Sequence, residues 1–190
     1  MLEFTLGNAM KAMWLGWGLY WVLAARRAKA VRWREDWIAR AVDTGLLLAA
    51  VLLMIAGHRL PTLLCERFLL RGIVALAIGA LLTAIGLGFA VWARVHLGRN
   101  WSGTVTLKDD HTLIRTGPYA RLRHPIYSGV LLALAGTALA VGEWRAVIAL
   151  GLVFVAFLRR VRVEEEHLRK IFPDYDRYRR ETAALIPFVY

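Results

Sequence analysis

The chain has 190 residues, 58% of them hydrophobic, with a mean hydropathy of +0.48 and a formal net charge of +11. So apolar a composition excludes a water-soluble domain of this size unless long segments lie in lipid. The basic excess is nearly all arginine, clustered between apolar runs, which points to anionic lipid head groups and away from nucleic acid. The single cysteine, Cys65, excludes an intrachain disulfide and a thiol-based metal site, so no metal is expected.

The amino terminus carries Glu3 and meets its first apolar run near Ala12, without the basic leader of a secretory signal. Arg26 and Arg27 close that run as a stop-transfer flank does, so a removable signal is not expected. Five apolar segments follow one another, at residues 12–25, 42–57, 72–95, 125–141 and 146–158. Several fall short of the about 20 residues that cross about 30 Å of hydrocarbon, so their ends should recruit interfacial rings and snorkelling arginines. Trp14, Trp17, Tyr20, Trp21, Trp33 and Trp37 suit that belt. In the third segment Gly79, Gly86 and Gly88 sit among alanines, where small residues let neighbouring helices approach closely. Beyond the fifth segment the helix should run on through Glu164, Glu165 and Glu166 and stop near Phe172, because Pro173 cannot continue it. A further short helix should begin around Tyr175 and Tyr178.

The pattern predicts an all-α polytopic membrane protein of about five transmembrane helices with a cytoplasmic carboxyl-terminal helical cap. Residues 1–92 form its amino-terminal helices and 93–190 its functional core. Orientation follows from the basic residues: six in 26–41, six in 94–124 and eight from Arg159 onward, against three in 58–71 and one at Arg145. Rich and poor connections alternate. Five crossings therefore put the amino terminus outside the cell's inner membrane, with the third connection and the tail in the cytoplasm.

That third connection holds the residues with chemistry. It reads His96-Leu97-Gly98-Arg99-Asn100-Trp101-Ser102, then His111-Thr112-Leu113-Ile114, Gly117-Pro118-Tyr119, and Arg123-His124-Pro125-Ile126-Tyr127-Ser128-Gly129. Pro125 suits a first helical position, and the amides freed at such a helix start can hold a ligand's carboxylate or ring nitrogen. Arg123 and His124 could serve only as interfacial anchors. Glu164 and Glu165 shift that balance: a short turn folds the fifth helix back against the fourth, so both motifs end at one depth, where acidic side chains need partners. Arg160, one turn before Glu164, offers a local ion pair, but three consecutive glutamates cannot all face one arginine.

Gly117-Pro118-Tyr119, Arg123 through Gly129, Glu164-Glu165, Leu168, Phe172, Tyr178 and the final Leu185-Ile186-Pro187 together resemble the isoprenylcysteine carboxyl methyltransferase family and the related phospholipid methyltransferases. The resemblance covers about residues 93–187. The first two helices carry no such signature, and Pro173 stands where many relatives have glycine. It implies S-adenosylmethionine as cofactor, contacted by His124, Pro125, Tyr127 and Gly129 and, in the preceding loop, by Gly117 and Tyr119. Glu164 and Glu165 would bind its cationic end, which carries a sulfonium and an ammonium. Arg123 and Arg160 would face an anionic group, either the cofactor's carboxylate or a substrate's. The acceptor would be a lipophilic small molecule or a prenylated chain drawn from the membrane lipids, with no nucleic acid involved. A carboxylate acceptor needs no base, whereas an amine needs one such as Glu165. Two other readings stand beside this one: an NADPH-dependent membrane reductase of the sterol reductase type, and a membrane scaffold without catalysis.

Overall fold

The structure is a computed structural model that describes residues 1–25, 37–70, 72–98 and 113–187. Trp33 and the stretch containing Arg99, Asn100, Trp101, Ser102, His111 and Thr112 lie outside the described residues. Among the described residues seven α-helices follow in order: α1 (Leu2–Ala25), α2 (Trp37–Ala56), α3 (Thr62–Cys65), α4 (Ile73–Leu97), α5 (Pro125–Val141), α6 (Trp144–Ile171) and α7 (Tyr175–Glu181). Single 3-10 turns occupy Gly57–Arg59 and Gly117–Ala120. Among the described residues there is no strand, only two isolated bridges, Arg67 with Glu143 and Leu122 with Ala183. The fold is all-α, and each of the five apolar segments coincides with part or all of one helix, 42–57 and 72–95 overrunning theirs by one residue. The first of these begins at Leu2, ten residues before the apolar run does.

Helices α2 and α4 are long and apolar enough to cross a membrane, and α5 is a shorter apolar helix of 17 residues. Only 11% of the apolar window of α2 and 33% of that of α4 is buried, so both helices present most of their apolar surface outward. Their outward faces carry Leu48, Val51, Leu52, Ile55, Leu81 and Ile85, a surface that suits hydrocarbon.

The tightest packing is between α4 and α5, which run antiparallel. Gly79 lies against Gly136, and Gly86 against Gly129. A Cβ built on any of the four would come within 3.0 Å of the opposite helix. Small residues at a seven-residue spacing thus let two backbones touch where a larger side chain would wedge them apart. Gly88 faces open space, so of the three expected packing glycines two serve that role. The seam is pinned by hydroxyls: Thr83 donates to the carbonyl of Gly79 at 2.8 Å and lies 3.2 Å from the hydroxyl of Thr137.

Trp14 joins this seam, its indole N–H donating to the Thr137 hydroxyl at 3.0 Å. Trp14 and Trp17 pack on the core cluster of Ala50, Ala90, Val130, Ala149, Val153 and Phe157. These two rings therefore bind α1 to the bundle, and Thr137 supplies the partner that the indole N–H of Trp14 needs. Trp37, at the start of α2, is 75% exposed.

Helix α2 packs on α6. Near one end Arg159 reaches Asp43 at 3.0 Å. Toward the other, Arg145 donates to the carbonyls of Leu53 and Met54 at 2.9 and 2.7 Å and pairs with Glu143 at 2.6 Å. The last carbonyls of a helix have no partner within it, and here a partly buried guanidinium satisfies two of them. The α5–α6 turn is closed by Gly142, whose φ of +66° an L side chain rarely adopts. That hairpin brings the start of α5 and the far end of α6 together.

Candidate active site

The site is built on the start of α5, the outer turns of α6, and the returning tail. The Gly117 turn comes first. Gly117 has a φ of +58°, and a Cβ there would strike the ring of His96 at 2.6 Å. His96 itself stands 2.9 Å from the Thr116 hydroxyl and stacks near Tyr119, so the turn is anchored to the last residues of α4. Tyr119 is buried, and its carbonyl accepts a hydrogen bond from the Tyr178 hydroxyl at 2.6 Å.

As expected from Pro173, α6 stops at Ile171, and α7 begins at Tyr175. After α7 the chain pairs with the segment that leads into α5. The amides of Arg123 and His124 donate to the carbonyls of Ala183 and Ala184 at 2.9 and 3.1 Å, and the Ser128 hydroxyl donates to that of Leu185. The amides of Arg123 and His124, just ahead of the helix, are thus taken by the tail, since a buried backbone donor must find a partner. Pro125 at N1 is fully buried.

The three glutamates of α6 divide among different surroundings. Glu166 faces outward and is exposed. Glu164 accepts the Tyr127 hydroxyl at 2.6 Å and lies 3.2 Å from His124 Nδ1. Glu165, which is buried, accepts Arg123 Nε at 2.6 Å, lies 3.4 Å from His124 Nε2, and pairs through its other oxygen with Arg179 Nε at 3.3 Å. Arg123 is buried as well, and its Nη1 donates to the carbonyls of Arg179, at 3.0 Å, and Thr182. In the structure the partner of Arg123 is thus the carboxylate of Glu165, inside the protein. A guanidinium this deep is stable only when its donors are matched, and here a carboxylate and two carbonyls match them.

The titrations follow from this arrangement, all outside the apolar segments. Burial alone would lower the His124 imidazolium, but Glu164 and Glu165 beside it outweigh burial and raise it above the ordinary value. Burial would raise both carboxyls, yet the bonds from His124, with Tyr127 on Glu164 and Arg123 on Glu165, hold both below the ordinary value. Burial pushes the Tyr178 hydroxyl up to about 12 and that of Tyr175 well above its usual range. Rings of His124 and Tyr127 stack at an interplanar angle of 2°, and Tyr127 stacks in turn on Phe157 at 4.5 Å. The carboxylate pair thus stands at the end of an aromatic column that descends into the apolar core.

The residues anticipated for the site are largely brought together: Arg123, His124, Pro125, Tyr127, Glu164 and Glu165 form one cluster. Arg160 is half-buried on α6, and its charge helps to hold Glu164 ionised. Tyr119 joins through Tyr178. Gly117 borders the His96 ring, and Gly129 faces Gly86 and Ala90 of α4, where its bareness serves helix packing. Arg179, Thr182 and Tyr175 were not anticipated. The spacing of Tyr175 and Tyr178 signalled a helix, but only its fold-back shows what that helix touches.

Comparison with known proteins bears on this geometry. The model of the phospholipid methyltransferase family matches residues 74–175, more than half of the chain. The chain belongs to the phospholipid methyltransferase family. The matched stretch runs from α4 to the first residue of α7, and so contains the His124–Glu164–Glu165 cluster but not Arg179 or Thr182. Among curated relatives in the same circle, the protein-S-isoprenylcysteine O-methyltransferase of Schizosaccharomyces pombe is 34% identical over 51% of this chain and 43% of its own length. That of Saccharomyces cerevisiae is 31% identical over 72% of this chain and 55% of its own. The chain thus spans about half the length of these relatives. A solved eukaryotic intramembrane Ras methyltransferase, isoprenylcysteine carboxyl methyltransferase, shares the fold with a TM-score of 0.57 at 22% identity, covering 82% of this chain and 55% of that one.

Proposed function

We propose that this chain is an integral membrane methyltransferase that takes its methyl group from S-adenosylmethionine and gives it to the carboxylate of a lipophilic, prenylated acceptor. The observation that carries the reading is the pair of ionised carboxylates, Glu164 and Glu165, held by His124, Tyr127 and Arg123 at the end of the aromatic column. The resemblance to methyltransferases favours methyl transfer over the NADPH-dependent reduction and the scaffold roles considered above.

The residues present fit the donor. Glu164 and Glu165 match its sulfonium and ammonium, and Arg160 is the half-buried cation nearby for its carboxylate. One buried polar atom, the hydroxyl of Tyr175, makes no hydrogen bond among the described residues and is available to a ligand. When bound, S-adenosylmethionine supplies an electrophilic methyl group. The chain's own part is to hold the cationic end at Glu164 and Glu165, to exclude water with Tyr127 and Phe157, and to align the acceptor. Arg123 acts through Glu165, which it orients. An acceptor carboxylate is already ionised at neutral pH, and carboxyls held below their ordinary pKa are weak bases, so the site serves a carboxylate better than an amine that must first lose a proton. The tail of the acceptor would lie along the apolar side of the column.

In this reading all five long helices cross the bilayer, with the amino terminus outside the inner membrane and α7 and the cluster in the cytoplasm. The alternation of basic connections supports that orientation. Calorimetry on detergent-purified protein tests the donor: S-adenosylmethionine or its demethylated product should bind with measurable heat. No heat and no thermal shift at millimolar concentrations, together with a shift from NADPH, would turn the reading to the reductase.

A further inference from the structure

From the partners of Glu165 we infer that Arg179 is an internal counter-ion which the donor's cationic end displaces, so that the tail helix competes with the donor for one carboxylate. The inference rests on the proposed function and adds a built-in restraint on it. Three cationic or protonatable groups face Glu165: Arg123 at 2.6 Å, Arg179 at 3.3 Å and His124 at 3.4 Å. They differ in how firmly they are held. Side chains of Arg123 and His124 are each 6% exposed, and Arg123 is fixed further by the carbonyls of Arg179 and Thr182. The Arg179 side chain is 43% exposed, and among the described residues its guanidinium pairs with Glu165 alone. Both oxygens of Glu164 are held by buried groups, His124 and Tyr127, so the counter-ion that can leave this pair of carboxylates is Arg179 on Glu165.

An incoming ammonium or sulfonium must therefore find its countercharge at the Glu165 oxygen that Arg179 occupies. Leaving both cations on one carboxylate costs repulsion at close range. Removing Arg123 would strand a buried guanidinium, whereas Arg179 can swing into water, where an arginine is at home on a flexible stem. Arg179 sits on α7, whose carbonyl at the same residue holds Arg123. Donor occupancy and the hold of α7 on the cluster are thus linked through one side chain. By reciprocity, if the donor displaces Arg179 from Glu165, removing the Arg179 charge while leaving Glu165 intact should strengthen donor binding.

The test measures donor affinity by calorimetry in the full-length wild type and in Arg179→Gln and Arg179→Met, which keep a stem but remove the charge, with Arg177→Gln on the exposed side of α7 as control. Both Arg179 variants should bind S-adenosylmethionine more tightly, by roughly two- to fivefold, the range that a partly exposed ion pair is worth. The control should bind as the wild type does. A gain in affinity is not what a merely damaged site gives. If the wild type binds donor and both Arg179 variants bind it equally or more weakly, Arg179 does not compete and the inference is overturned. If the wild type binds none, the proposed function itself falls, and this inference with it.

Discussion

Replacing Arg123 by lysine isolates what the planar guanidinium contributes. In the wild type one side chain bridges Glu165 through Nε at 2.6 Å and the carbonyls of Arg179 and Thr182 through Nη1, with the two charged side chains 6% and 10% exposed. An ammonium keeps the charge but cannot span the carboxylate on α6 and the carbonyls of the tail at once. One hydrogen bond to a charged group is worth about 1.5–3 kcal/mol, so Arg123→Lys should cost about that much. Arg123→Met strips Glu165 of its closest cation and should cost about 3–5 kcal/mol. For a chain of this length each kcal/mol shifts the thermal midpoint by about 2–4 °C, which places the lysine variant roughly 3–12 °C below wild type. Thermal unfolding in detergent, followed by tryptophan fluorescence, reads this directly. Because Glu165 is the partner, the effects of Arg123→Met and Glu165→Gln should be far from additive, the pair of changes costing less than their sum. Additive effects, or a lysine variant within a degree of wild type, would refute the view that Arg123 is an internal clamp.

Stability should also depend on pH through His124. Its pKa is raised in the fold, so its contribution is full below the ordinary histidine value of 6.5 and is lost as pH rises through the raised value. Those of Glu164 and Glu165 are lowered, so their contribution is present above 4.5 and is lost as pH falls through their depressed values. The thermal midpoint should peak between these limits and decline toward alkaline pH, and His124→Asn should flatten the alkaline limb; an unchanged limb in that variant would contradict the assignment. In the α4–α5 seam, Gly86→Ala should destabilise by about 1–3 kcal/mol through overpacking, while Gly88→Ala, facing open space, should be neutral or better, and equal midpoints for the two would count against the seam. For topology, a cysteine placed at exposed Lys170 in a Cys65→Ala background should resist an impermeant thiol reagent applied to intact cells and react after lysis.

Much of this was legible in the residues. Apolar runs announced the five long helices, Pro173 announced the end of α6, and two separate motifs, Arg123-His124-Pro125 and Glu164-Glu165, announced a meeting point because a short hairpin must bring their ends to one level. What stayed hidden depends on contacts made far along the chain. Trp14 reads as an interfacial ring from its neighbours, and only the approach of α5 gives its indole N–H the Thr137 hydroxyl. Arg179 is one of eight basic residues in the tail, distinguished by nothing until α7 folds back on Glu165. Arg145 reads as a sparse charge on the outer side, whereas it caps the carbonyls of α2. Helix α1 starts before its apolar run because residues 2–11 contain no helix breaker but Gly7.

Methyl transfer itself is the central claim, and a single incubation tests it. Membranes containing the protein, supplied with S-adenosylmethionine labelled in its methyl group and an S-prenylated N-acetylcysteine, should release label that partitions into organic solvent and returns as methanol on mild alkaline hydrolysis, the mark of a methyl ester. Glu165→Gln should lose most of that label at low donor concentration. Absence of label in the prenylated acceptor above that in membranes lacking the protein, although the donor binds, would contradict transfer to a prenylated carboxylate, and alkali-stable label in a lipid fraction would reassign the acceptor to an amine.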